Sequence, residues 1–166
     1  MTTTTTTKKT TSKTQEKRVK LPPNPFIHEV FELVVKQRTR QDKINILKEY
    51  EDPSIKAIFI WNFDESVQSA VPAGHVPYKE NEVPVGTDHT SLRREYKNLY
   101  HFVKGGNDSL SSLRKETMFI QLLEGLHPKE AEIICLVKDK ELTKKYKISF
   151  DIVKEAYPDI VWGNRS

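Results

Sequence analysis

The apolar positions along the chain predict helices almost throughout. Phe26, Ile27, Val30, Phe31 and Val34 fall at helical spacing on a helix running to about Gln37, with Asn24 as its N-cap and Pro25 at its first position. Ile44, Leu47 and Tyr50 mark a shorter helix from about Arg40 that ends before Pro53. Pro53-Ser54 opens a third, in which Ile55, Ala57, Ile58, Phe59, Ile60, Trp61 and Phe63 leave almost no polar face, so burial on most sides is expected. Leu92, Tyr96, Leu99, Tyr100 and Val103 form another stripe, closed by Gly105-Gly106 as a C-cap. Leu113, Ile120 and Leu123 predict a helix over about 111–126. His127-Pro128 begins the next, with Glu130 and Glu132 in the first turn and Lys138 and Lys140 at the far end, matching the helix dipole. A last short helix runs from Ser149 to Tyr157, stopped by Pro158. No hairpin signal and no repeat is present, so the expected fold is all-α, about seven helices in one compact bundle.

Two segments break the pattern. Residues 1–23 form a Thr/Lys-rich tail with too few apolar side chains to offset the entropy of ordering, and disorder is expected there. Residues 64–90 carry Pro72, Pro77, Pro84, Gly74 and Gly86 among the acids Glu80, Glu82 and Asp88, and read as an irregular acidic loop packed by Val76, Tyr78 and Val83. The predicted helical domain spans 24–163.

Charge changes this picture only after it is divided. The whole chain is +4, but residues 1–20 hold Lys8, Lys9, Lys13, Lys17, Arg18 and Lys20 against Glu16, which leaves residues 21–166 at −1. Within the body, residues 36–48 and 91–104 are basic and residues 49–90 acidic. Such sorting with a basic tail is the footprint of a polyanion binder, and also of an ordinary solvated surface. No apolar run exceeds five residues, far below the roughly 20 needed to cross a bilayer, so no membrane partner is expected. A single cysteine, Cys135, excludes an intramolecular disulfide framework.

Several chemistries lack their residues. The six glycines form neither Gly-x-x-x-x-Gly-Lys nor Gly-x-Gly-x-x-Gly, and no Asp-Gly dipeptide exists for a nucleotidyl-transfer Lys-x-Asp-Gly. No two of His28, His75, His89, His101 and His127 have the spacing that offers two imidazoles to one metal from a helix. Cys135, among Ile133, Ile134, Leu136 and Val137, reads as a buried structural thiol, and His101 as a helix-surface histidine. No cofactor, metal or catalytic residue is expected, although Asp64 with Glu65, or Glu80 with Glu82, leaves a small metal-dependent nuclease as a minor alternative.

Residues 98–126, NLYHFVKGGNDSLSSLRKETMFIQLLEGL, and the following HPKEAEIICLV carry a more specific pattern. A partly apolar helix, a Gly/Ser loop, an Arg-Lys pair, a short turn and an acidic-Ala helix occur in that order. This resembles the N-terminal helical DNA-binding domain of ATP-dependent DNA ligases, and Tyr157-Pro158-Asp159-Ile160 is similar to the end of that domain in phage ligases. Lys138 to Lys147 has no glycine where the family has a basic Asp-Leu-Arg-x-Gly segment, and the resemblance does not reach the adenylation or oligonucleotide-binding domains. The chain also looks like small proteins of marine tailed phages.

The resemblance implies a non-catalytic module that grips double-stranded or nicked DNA through backbone and minor-groove contacts, in phage replication, repair or recombination. A phage replication protein or ligase catalytic protein is the implied partner, and the infected host cytoplasm or the virion the implied location. Gly105 and Gly106 would allow close backbone approach, Ser111 and Ser112 would donate hydroxyl hydrogen bonds, and Arg114 and Lys115 would meet phosphate at a helix start. Lys138, Lys140, Lys144, Lys145 and Lys147 would extend the contact. The alternative is a protein-interaction or virion-associated helical protein that has lost DNA binding. Clustering of Arg114, Lys115, Lys138 and Lys145 away from the acidic loop would favour DNA; a loop covering that face would favour the alternative.

Overall fold

The computed structural model describes residues 20–82 and 90–164. The expected tail disorder at 1–19 and the packing of Val83 lie outside the described residues. The helices are α1 (Ile27–Lys36), α2 (Arg40–Glu49), α3 (Pro53–Phe63), α4 (Leu92–Glu95), α5 (Ser112–Gly125), α6 (Pro128–Lys138), α7 (Leu142–Lys145) and α8 (Phe150–Ala156). Between α4 and α5 the chain tightens into a 3-10 helix, Tyr96–Phe102. The fold is all-α; the described residues contain only isolated bridges and no strand.

Local sequence sets most helix starts. Thr39 accepts a hydrogen bond from the Asp42 N–H (3.1 Å), Asp52 from Ser54 (3.0 Å), Ser111 from Arg114 (3.1 Å) and Ser149 from Ile152 (3.4 Å), each satisfying an orphan donor of a first turn. The start of α1 departs from expectation. Asn24 adopts a left-handed conformation (φ 54°) instead of capping, and Phe26 stands at the N-cap, its N–H donating to Glu29 Oε1 (2.9 Å). Leu21, assigned to the tail, packs against the core and donates its N–H to the Tyr50 hydroxyl (3.1 Å), so the domain begins a few residues earlier than expected.

α2 packs on α1 and α8, α3 on α6, and α5 and α6 form a helical hairpin. The centre is aromatic: the rings of Phe31 and Phe59 lie 5.2 Å apart, those of Phe59 and Tyr157 6.2 Å, and the buried Tyr157 hydroxyl donates to Leu47 O (2.6 Å). As the near-absence of a polar face predicted, Ile55, Ile58, Phe59 and Trp61 of α3 are buried.

Glu130 is the polar centre of the fold. It is 0 % exposed, and its carboxylate accepts the N–H of Ile27 (2.9 Å) and of Leu92 (3.0 Å), the first residues of α1 and α4. It also sits in the first turn of α6, so three positively polarised helix starts converge on one side chain. Arg93 extends this junction, donating to Pro25 O (2.6 Å) and pairing with Asp52 (2.9 Å). Burial nevertheless raises the Glu130 carboxyl above its ordinary range, against those two backbone bonds.

The acidic loop is a strap over its described length. Residues 68–70 run antiparallel to 102–104, with Ala70 N–H on Phe102 O and Lys104 N–H on Gln68 O, both 2.7 Å. Val67 and Val71 enter the core, and Ser69 Oγ accepts from Trp61 Nε1 (2.9 Å) while donating to Lys138 O (2.5 Å).

Candidate nucleic-acid interface

The cations proposed from sequence do not form one free face. Lys138 has a side chain 0 % exposed; its Nζ donates to Pro72 O (2.8 Å), Gly74 O (3.0 Å) and Asp139 Oδ1 (2.7 Å), which uses all three ammonium protons inside the protein. Lys140 Nζ donates to Trp61 O (2.7 Å) and Asp64 O (2.8 Å), placing a positive charge on the C-terminal end of α3. Burial lowers its pKa. Lys140 also takes the left-handed position (φ 57°) that closes α6: its N–H reaches Val137 O (2.9 Å) and that of Glu141 reaches Leu136 O (2.8 Å). Lys138 is therefore an internal tie and no phosphate contact, and the half-buried Lys140 is tied to the end of α3, because the strap and the end of α3 supply carbonyls that must be satisfied.

Of the other predicted residues, Lys144 pairs with Glu141 (2.9 Å) and Lys145 with Glu132, both at the surface, while Lys147 is exposed with no ion pair among the described residues. Lys115 is only 8 % exposed; one step and roughly 100° round the helix from Arg114, it turns inward. Gly106 serves packing, since a Cβ there would lie 1.9 Å from Tyr100 O, and Gly105 adopts a left-handed turn (φ 84°) with open space beside it. Ser111 is the N-cap of α5, Ser112 is exposed at its first position, and Arg114 is exposed without an ion pair among the described residues. The expected buried stripe of α5 also changes: Phe119 and Leu123 are buried, but Leu113 is 74 % exposed.

A different basic surface appears beside Arg114. In a 3-10 helix residues three apart eclipse one another. Lys97 and Tyr100 therefore share a column, continued backward by Arg94 and followed by Lys104 at the turn. Arg94, Lys97 and Lys104 are exposed and have no ion pair among the described residues. Tyr100, placed in the apolar stripe by its sequence spacing, is 48 % exposed, and Phe102 is buried instead. The tightened period explains the exchange.

Between this column and α5 lies a groove of about 480 Å³, lined by Asn98, His101, Arg114 and Gln121 together with Met118 and Leu122. Asn107 Oδ1 accepts from Ser109 N–H (3.2 Å) and Oγ (2.6 Å), so its amide nitrogen donates to His101 Nδ1 (3.0 Å). That arrangement puts the His101 proton on Nε2. A second cleft, about 730 Å³, lies under the strap near Val76, Tyr78 and Cys135. Burial pushes the Cys135 thiol up to about 11, which keeps it an un-ionised, unreactive group.

Of the acids named for nuclease chemistry, Asp64 has a structural role. Asp64 is buried, its Oδ1 accepting from Ser66 N–H (2.9 Å) and Oγ (2.6 Å) and its Oδ2 from Gly163 N–H (2.9 Å), closing the turn after α3. Among the described residues no group of three or more His, Cys, Asp or Glu is placed to hold a metal. None of the described helices is long and apolar enough to cross a membrane.

Fold and surface together define an all-α domain with a buried carboxylate junction and an exposed basic edge. The chain belongs to the family of unknown function DUF6433, whose sequence profile matches residues 30–144, from α1 to α7. No curated protein and no solved structure matches it.

Proposed function

We propose that this domain is a non-catalytic DNA-binding module that contacts duplex phosphates through the edge formed by the 3-10 helix, the 105–111 loop and the start of α5, in phage DNA replication, repair or recombination as the ligase resemblance implies. The observation that carries this reading is the set of exposed cations, Arg94, Lys97, Lys104 and Arg114, left without carboxylate partners among the described residues of a body whose net charge is −1. An anionic backbone compensates such cations without sequence preference. The test is fluorescence anisotropy of the full chain on duplex DNA over a salt series. Changing both Lys97 and Arg114 to Ala is expected to weaken binding alike on unrelated sequences and to flatten the slope of log K against log salt by about 2 units at most. An unchanged slope would contradict the assignment.

A second reading, a helical protein-interaction or virion-associated protein without DNA binding, is favoured by the clustering criterion set out from the sequence, since Lys115 is buried and the loop covers Lys138, and is supported also by the exposed Leu113. It predicts no salt-sensitive affinity for DNA attributable to this edge.

A further inference from the structure

The groove between the 3-10 helix and α5 has more chemistry than phosphate contact needs. A phosphate cradle presents donors alone, whereas this groove also contains the Glu95 carboxylate. Its two oxygens accept from Thr90 Oγ1 (2.8 Å) and Asn98 Nδ2 (3.2 Å), which leaves Asn98 Oδ1 to serve as an acceptor. His101 brings the opposite polarity, a donor at Nε2 fixed by Asn107 through Ser109. Gln121 offers one donor group and one acceptor, and the Met118 and Leu122 side chains add apolar lining. The volume, about 480 Å³, falls in the small-ligand range of about 300–1,000 Å³. Mixed donors and acceptors beside apolar lining, with a guanidinium at the same groove, match the edge, the face and the adjoining phosphate of a nucleotide.

Resting on the DNA-binding reading above, we infer that this groove accepts one unpaired nucleobase adjoining the duplex, while Arg114 holds its phosphate. A paired base cannot enter, because its edge and both faces are already engaged. The module therefore discriminates duplex interrupted by an unpaired base from continuous duplex.

The experiment compares the full chain on three labelled DNAs of one sequence by anisotropy: a paired duplex, the duplex with one extra unpaired base, and the duplex with an abasic residue at that point. The abasic DNA keeps the extra phosphate and the kink, so only the base differs. Affinity for the unpaired base is expected to exceed that for the abasic site by at least about five-fold. His101→Phe and, separately, Gln121→Leu should pull that ratio toward one. Equal affinity for base and abasic DNA, with salt-sensitive duplex binding intact, would overturn the inference and leave the DNA-binding reading standing. Absence of salt-sensitive binding to all three would overturn both.

Discussion

Single residues decide what this domain can present to a partner. Lys138 shows how burial converts a cation from a binding group into a tie: three carbonyl or carboxylate acceptors surround its ammonium, and two of them belong to the strap. Lys138→Met is expected to free residues 72–76, making them the first site of limited proteolysis while the helical circular dichroism persists. Glu130 is the converse, one anion holding two backbone N–H groups of other helices. Glu130→Ala should lower unfolding free energy by roughly 2–4 kcal/mol in a denaturant titration, since each lost charged hydrogen bond leaves a buried donor. His28 contributes a pH dependence. It is buried, stacked on His127 at 4.6 Å and facing Phe26, Glu29, Glu32 and Lys129, and burial followed by the neighbouring His127 lowers its pKa from the usual 6.5. The unfolded chain then takes up a proton that the native protein refuses, so stability is full above about pH 6.5 and falls as the pH drops below it. Melting temperatures across that range should fall on acidification, and His28→Phe should flatten the decline.

At the scale of elements, the informative piece is the 3-10 helix. Its sequence, YKNLYHF, carries apolar residues that fit an α-helical stripe, and that fit predicts a continuous helix with Tyr100 inside. Pairing of 102–104 with the strap, and Gly106 lying against Tyr100 O, draw the segment into a tighter period that turns Tyr100 outward. Neither constraint is visible locally, because both depend on chain from elsewhere in the sequence. Gly106→Ala is accordingly expected to destabilise the domain and disturb the 3-10 segment, read as loss of amide protection at 99–106 in hydrogen exchange. By contrast the starts of α2, α3, α5 and α8, expected at about Arg40, Pro53, Ser111 and Ser149, are set locally by Thr39, Asp52, Ser111 and Ser149, whose capping needs only the next three residues. The start of α1 was not, since its first N–H is satisfied by Glu130, about a hundred residues away.

Over the whole molecule, helical periodicity was enough for the all-α class and the main core residues. Charge counting was enough to find basic segments but not to say which cations face solvent. Of the lysines grouped from sequence at 138–147, two are internal and two are paired, because carbonyls and carboxylates brought close by folding reach them first. Exposed cations without an ion pair among the described residues remain, including Lys36, Arg38, Lys48 and Lys147 and those along the edge from Arg94 to Arg114; that edge was foreshadowed by the basic count at 91–104 and is located only once the 3-10 column and α5 are side by side. That edge is the proposed DNA-contacting face. Amide hydrogen exchange of the full chain, with and without a saturating duplex, tests this most directly. Slowed exchange is expected at 97–106 and in the first turn of α5, with the strap and α7 unchanged; protection confined to other elements, or no protection at any salt, would contradict the proposal.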